Sequence, residues 1–536
     1  RFTSREAFGK MFIQRRPMSK RGVLAAAVLA GLLSLAAGGR PDWSEAVDKA
    51  EEIADLIARN YINPPDARTL AFASIRGVLG TLDPHSYFLD SEMLSTMREE
   101  YTGKFYGMGI QITKQEDRLV VISCIEGMPA SRLGIQPGDV IATIDGASTK
   151  PLSSYEAMQK LRGPKGSKVT ITIQREGFDK PIELVVIREE IPLHSVSYAF
   201  LRDDRVGYIY IRTFSETTVA EVEAKIADLA ARGMTGLILD LRWNTGGPFF
   251  PSLELADEFL AKGSLIVSIR GRNRSYDREF RAVRDGQQEG LPLVVLVNAG
   301  SASASEIVAG AVMDNDRGLV VGEDSWGKGL VQTVFPLGPD LAVALTTAKY
   351  YTPSGRSIQR DYTHLEDYLL NTGVQDESRE VRYTKGGRKV LGQGGITPDY
   401  KVQLRIKPLT AELIFRGAFF SYGRKFVGRQ TDLSKSYVLP QDEEPAGAAE
   451  GRTVLSFAFT ADAAVLADFK EHLRSLKFEY SPERFAEAED EIRTEIEREV
   501  VSSAWNLEEG MRVYRCKDPV VQKAMAVLPE AAGFLR

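Results

Sequence analysis

Three side chains with the means for chemistry fall within one stretch of the 536-residue chain: Ser303, Lys328 and Gln332, in the run NAGSASASEIVAGAVMDNDRGLVVGEDSWGKGLVQ from Asn298 to Gln332. A serine hydroxyl is a weak nucleophile until a neighbouring group removes its proton. A lysine can do that only as the neutral amine, which calls for a desolvated pocket. Ser303 stands among small residues, Ala299 to Ala304, which let the backbone turn sharply and approach a ligand closely. The apolar run Leu293 to Val297 predicts a buried strand before it. Ile307, Val308, Ala311 and Val312 predict the buried face of a helix after it. Ser303 therefore falls at a strand-to-helix turn, where backbone N–H groups are free to bind an oxyanion. Lys328 follows between two glycines, and Gln332 lies four residues beyond it.

Plainer readings compete. Taken singly, a serine here reads as a helix cap and a lysine between glycines as a solvated turn residue. Gly322 to Gly329, GEDSWGKG, comes within one residue of a phosphate-binding P-loop. It lacks the Ser or Thr after Lys, and Glu323 and Asp324 would repel phosphate. A Ser-His-Asp triad has little to draw on: the chain has four histidines, none in a nucleophile-elbow context.

The joint pattern decides. SASASEIVAGA followed by GKGLVQ resembles the active-site signature of the C-terminal processing peptidases, also called tail-specific proteases. The resemblance implies Ser303 as nucleophile, Lys328 as its general base and Gln332 as the residue that orients the lysine. DLRWNTGG, Asp240 to Gly247, resembles the family's DLR-x-N-x-GG segment. It implies the Gly247 N–H as one oxyanion donor and the Ala304 N–H as the other. A glycine suits that role because its backbone approaches a carbonyl without a Cβ clash, although a tight turn is the plain alternative for the double Gly. Trp243 departs from the smaller or polar residues common there. LTTAKYYTPSGRSIQ (345–359) and GGITPDY (394–400) also resemble the family, so the likeness covers about residues 45 to 405.

A second likeness lies upstream. GMGIQI (107–112) and RLGIQPGDVIATIDG (132–146) resemble a PDZ domain, with the helix beside its peptide groove over Tyr155 to Leu161. The resemblance implies that Gly107, Met108, Gly109 and Ile110 form the loop that captures a free C-terminal carboxylate. An extended peptide would then add to the sheet edge as a strand. Arg162, at the end of the groove helix, is a candidate gating contact to the protease body; a solvated arginine is the bland reading.

These elements must be held by the rest of the chain. The net charge of −5 argues against a nucleic-acid binder. Cys124 and Cys516 form no CxxC, and no HExxH or Cys/His cluster points to a metal. No cofactor is implied. A basic start at Met18, an apolar run from Val23 to Ala37 and small residues to Gly39 have the three-part layout of an export signal. The run is short for a bilayer span of about 20 residues, and an uncleaved anchor is the alternative.

Helices are expected over 43–61 and 67–79. LDPHSYFLD (82–90) resembles a stretch that the peptidase family carries upstream of its PDZ domain, with His85 read as structural. After Ile191 come a strand (206–214), a helix opened by a Thr218/Glu221 capping box, and a strand (236–241), a crossover unit of α/β type. A strand is expected over 341–345, and 360–390 reads as a charged surface excursion. Residues 440–451 read as a linker. Two helices follow, over 460–478 and 482–500. On the second, Phe485, Ala488, Ile492 and Ile496 make a stripe for packing or oligomerisation.

The expected architecture is an α/β multidomain protein. Residues 1–40 are a signal or anchor, 41–103 an N-terminal helical region and 104–190 the inserted PDZ domain. Residues 191–408 form an α/β peptidase core, crotonase/ClpP-like by resemblance, and 409–536 a helical extension of unassigned role. The expected function is an exported, periplasmic serine endopeptidase that cuts protein substrates with free C-termini, with the inner membrane as an anchoring surface if the N-terminus is retained. A non-catalytic PDZ adaptor or chaperone on the same body is the alternative. The intact set Ser303, Lys328 and Gln332 argues against it.

Overall fold

The computed structural model describes residues 44–535 except 116, 176–177, 179, 203, 371–378 and 441–452. The expected export segment and most of the expected linker lie outside the described residues. No helix among the described residues is long and apolar enough to cross a membrane.

The centre is a six-stranded sheet in the order 196–201, 206–211, 236–240, 293–297, 319–322, 400–401. Only the first pairing is antiparallel. The runs Gly236–Asp240 and Leu293–Val297 are buried at every position. Apolar residues, as in Leu237–Leu239 and Leu293–Val297, suit a parallel strand covered on both faces, and Asp240 at the end of its strand is buried on an ion pair with Arg242. The pleat divides them: Leu237, Leu239, Leu293, Val295 and Val297 pack on one face, Ile238, Val294 and Leu296 on the other.

The first face carries Thr218–Ala231, Phe249–Asp257 and Ala304–Asp314. The last of these is buried at all eleven positions, more than the expected one-sided stripe, because other elements cover its outer side. The expected capping box at Thr218 does not form. Thr218 is already inside the helix and its hydroxyl accepts from Ser215 N at 2.7 Å, while Glu221 accepts from Thr217 Oγ1 at 2.6 Å. The strand before it ends at Ile211, short of Phe214.

A second sheet packs alongside, with Ala342–Tyr351 at its centre and Leu330–Pro336, Leu265–Gly271 and Tyr87–Leu89 paired to it. The N-terminal region thus contributes a strand to the peptidase body. The PDZ region forms its own sheet around Met108, Leu119, Ile141 and Ile171. Two short strands, Lys104–Gly107 and Glu189–Pro192, pair where the chain leaves and re-enters the core.

The C-terminal region adds more helix than expected: Pro408–Phe415, Ala418–Val427, Ala463–Ser475, Pro482–Ala504, Leu507–Lys517 and Pro519–Ala531. Phe485, Ala488, Ile492 and Ile496 are buried inside this bundle, so the stripe is a packing face within the chain. Val520, Val521, Ala524 and Leu528 cover the second face of the central sheet.

Candidate active site

Ser303 follows the strand Leu293–Val297 and opens the helix Ala304–Asp314 with φ 55° and ψ −112°. A non-glycine residue in that region is strained and persists only where its surroundings over-determine it. Here they do. Glu306, fully buried, accepts from Ser303 N at 2.8 Å through Oε2, and the same oxygen accepts from Lys328 N at 3.0 Å. Its Oε1 takes Gly327 N at 2.7 Å and Ser325 Oγ at 2.5 Å. Burial pushes the Glu306 carboxyl up, and these four donors oppose that shift. One carboxylate therefore fixes the backbone of both turns.

Lys328 precedes the strand Leu330–Pro336, so Ser303 and the lysine come from different sheets. Its carbonyl accepts from Tyr350 Oη at 2.5 Å. Burial pushes the ammonium below the usual lysine range, and the charges of Glu306 and Asp83 pull the other way. Among the described residues no hydrogen bond joins Ser303 Oγ to Lys328 Nζ. Gln332, in the strand after the lysine, donates through Nε2 to Thr346 Oγ1 at 3.4 Å rather than to Lys328. Thr346 Oγ1 in turn donates to Asp83 Oδ1 at 3.0 Å.

The DLRWNTGG loop lies against this turn. Asn244 is buried. Its amide donates to Ile211 O at 2.8 Å, its Oδ1 accepts Gly246 N at 2.9 Å, and its carbonyl accepts Ala302 N and Ser305 Oγ. A Cβ on Gly246 would stand 2.8 Å from Ser303 Cβ and 3.1 Å from Ala304 N, and one on Gly247 would stand 2.2 Å from Phe214 O. Both glycines have positive φ, 102° and 152°, so no other residue fits this approach. Among the described residues the N–H groups of Gly247 and Ala304 take no protein acceptor. Trp243 has φ 62°, is 68% exposed and packs on Gly300.

Residues outside the expected set also meet here. His85 Nε2 lies 2.7 Å from Tyr368 Oη, which also accepts from Trp326 Nε1 at 3.1 Å. Burial, then the Lys328 charge, pushes the His85 imidazole down to about 4, so it is neutral at pH 7. Tyr368 is buried although it belongs to the charged excursion after residue 360, where the composition gave no signal for it. Glu306 sits inside the SASASE run; a glutamate three residues after a candidate cap serine is the cue that could have found it.

In the PDZ region Gly107, Met108, Gly109 and Ile110 lead into the strand Ile110–Gln115. The carbonyls of Met108 and Gly109 are taken by Ala130 and Ile125 N–H groups. The strand lies at the edge of its sheet, beside the helix Ser154–Leu161. An open edge next to a helix is the slot for strand addition. Arg162 is partly exposed and paired. Its Nη1 pairs with Glu99 Oε2 at 2.6 Å and its guanidinium lies 4.3 Å from the Phe105 ring centroid. Glu99 is on the helix Ser91–Thr102, whose Tyr101 carbonyl accepts from Glu216 N of the core.

The fold and site define a serine peptidase carrying a PDZ domain. Two domain families match along the chain: peptidase family S41 over residues 205–366 and the PDZ domain over 107–186. The chain is 38% identical to the carboxy-terminal-processing protease of Bartonella bacilliformis over 63% of this chain and 78% of that one. It is 34% identical to the carboxy-terminal processing protease CtpB of Bacillus subtilis over 74% and 81%. A solved structure, the photosystem II D1 C-terminal processing protease, is 29% identical over 69% of this chain and 94% of its own, with a TM-score of 0.36. The chain belongs to the carboxy-terminal-processing proteases and is a serine-type C-terminal processing endopeptidase.

Proposed function

We propose that the protein is an exported endopeptidase that engages the free C-terminus of a protein substrate in its PDZ groove and cuts the chain near that end. Ser303 is the nucleophile and Lys328 its general base. The shared anchoring of Ser303 and Lys328 on Glu306 Oε2, beside the unengaged N–H groups of Gly247 and Ala304, is the observation that carries this reading.

In the reaction Ser303 Oγ attacks the scissile carbonyl as the neutral Lys328 amine takes its proton. The oxyanion of the tetrahedral intermediate is held by the Gly247 and Ala304 N–H groups. Lys328 returns the proton to the leaving amine, and water releases the acyl group by the same base. Ser303 and Lys328 side chains have a gap to close before proton transfer, and catalytic hydrogen bonds often tighten only with substrate bound. Gln332 lies in the strand after Lys328, where release from Thr346 would free it to orient the amine.

The PDZ edge strand and the Gly107–Ile110 loop read the substrate tail. Arg162, paired with Glu99 on the helix that leads into the core, supports a role in relaying tail occupancy to the peptidase. The basic, apolar and small-residue order of residues 18–39 supports export to the periplasm. The experiment is to incubate the purified protein and Ser303→Ala with unfolded substrates and identify products by mass spectrometry. Products trimmed near the C-terminus by the wild type alone are expected; the same products from Ser303→Ala would contradict the assignment.

A further inference from the structure

Asp518 caps the helix Pro519–Ala531 and is buried beneath the central sheet, far in sequence from the catalytic residues. Its carboxylate meets the DLRWNTGG loop. Arg242 Nη2 lies 2.9 Å from Asp518 Oδ2 and 2.6 Å from Asp240 Oδ2. Arg515 Nη1 lies 2.8 Å from the same Asp518 oxygen, and its Nη2 donates to Tyr198 Oη at 3.2 Å. Tyr208 Oη donates to Asp240. Two arginines and two aspartates thus alternate between the C-terminal helices and the sheet, largely shielded from solvent, and their charges cancel. The Asp518 carboxyl is held below the usual carboxylate range by Arg242 and Arg515 against its burial.

We infer that Asp518 is a positioning residue for the oxyanion loop, which makes the C-terminal helical unit a working part of the peptidase. This rests on the reading of Gly247 as an oxyanion donor. Arg242 stands directly before Trp243, whose φ of 62° starts the loop, and Asn244, which fixes Gly246. Gly247 follows at once. Asp240 binds the guanidinium from the strand itself, so it travels with the loop; Asp518 binds it from outside, from a helix locked onto the sheet. Leu528 of that helix packs where a Cβ on Gly236 would be 2.7 Å from its Cδ2, a close approach that only glycine permits. Without Asp518 the Arg242 guanidinium keeps only Asp240, Arg515 loses the carboxylate it pairs with, and Arg242 would move toward another acceptor or water. A displacement of about 1 Å at a preorganised donor costs on the order of 100-fold in rate.

The test uses the full-length chain as wild type, Asp518→Asn, Asp518→Glu and Leu528→Ala. kcat and KM are measured on a peptide with a free C-terminus, with affinities for a peptide boronic acid, which mimics the tetrahedral intermediate, and for the product peptide. Asp518→Asn is expected to lower kcat by at least about 10-fold with KM within about twofold. The boronic acid should weaken in parallel and the product peptide should not. Asp518→Glu, which keeps the charge but moves it, should fall between. Leu528→Ala removes packing toward the other end of the helix from Asp518 and leaves the ion pairs in place, so it should melt lower but keep kcat within about twofold well below its melting point.

Wild-type kcat in folded Asp518→Asn would overturn the inference. So would a Leu528→Ala loss as large as that of Asp518→Asn. If Asp518→Asn does not fold, wild-type kcat in Asp518→Glu has the same force. Failure of the oxyanion reading itself looks different: the boronic acid would bind the wild type no tighter than the product peptide, and both readings would fall.

Discussion

The amides of Ser303 and Lys328 converge on one atom, Glu306 Oε2, at 2.8 and 3.0 Å. Two turns from different sheets are thereby held at a fixed spacing by a single buried carboxylate. Glu306→Gln keeps the size but turns one acceptor into a donor, so at least one of the four groups it serves is left unpaired. A buried unpaired group costs about 1–3 kcal/mol. A lower thermal midpoint and loss of most turnover are expected. Unchanged values of both in a calorimetric melt and a peptide assay would show that the convergence is incidental.

Lys328 predicts a pH dependence with a definite sign. Burial lowers its pKa in the folded chain relative to about 10.4 in the unfolded one. The folded state therefore binds fewer protons between those two values, and stability rises with pH across that window. Below the folded pKa the buried ammonium is a fixed cost. Lys328→Met removes it, so the variant should melt higher than wild type at pH 7, and the gap should close as pH approaches 10. A gap that widens with pH would contradict the sign. In the wild type kcat/KM should also climb with pH, since only the free amine is a base.

The chemical strings were legible in the sequence because their geometry is local. Small residues before Ser303 announced the strained turn, and apolar runs at every position announced strands buried on both faces. What stayed hidden depends on contacts between distant residues. Tyr368 reaches His85 from a charged excursion, and Asp518 reaches Arg242 across the sheet; no spacing rule links either pair. Thr218 failed as a cap for a related reason: Ser215, Ser195 and Glu221 offered its segment a better-connected arrangement than the local pattern.

Gln332 donates to Thr346 at 3.4 Å, a long bond that is easily exchanged. A residue that orients the base without carrying its proton should matter less than the base. Gln332→Ala is expected to be about 10- to 100-fold slower but measurably active, at or below the low end of what a positioned acid–base group contributes. Full activity in steady-state kinetics would remove it from the site, and activity as low as that of Ser303→Ala would give it a larger role.

The PDZ reading makes substrate charge decisive. The edge strand Ile110–Gln115 and its preceding loop would read a carboxylate through backbone donors. Amidating a substrate's C-terminus removes that charge and should raise KM while leaving the cut site unchanged. Equal cleavage of acid and amide forms of several peptides would separate the PDZ domain from tail recognition.

The central claim is that neutral Lys328 deprotonates Ser303, and turnover of Lys328→Ala and Lys328→Arg beside Ser303→Ala tests it most directly. Residues that act as a unit fail together, and a guanidinium stays protonated at any working pH. All three variants, confirmed as folded by thermal melts, are predicted to be equally inactive on a peptide with a free C-terminus. Substantial activity in folded Lys328→Ala or Lys328→Arg, with Ser303→Ala inactive, would mean that another group takes the proton.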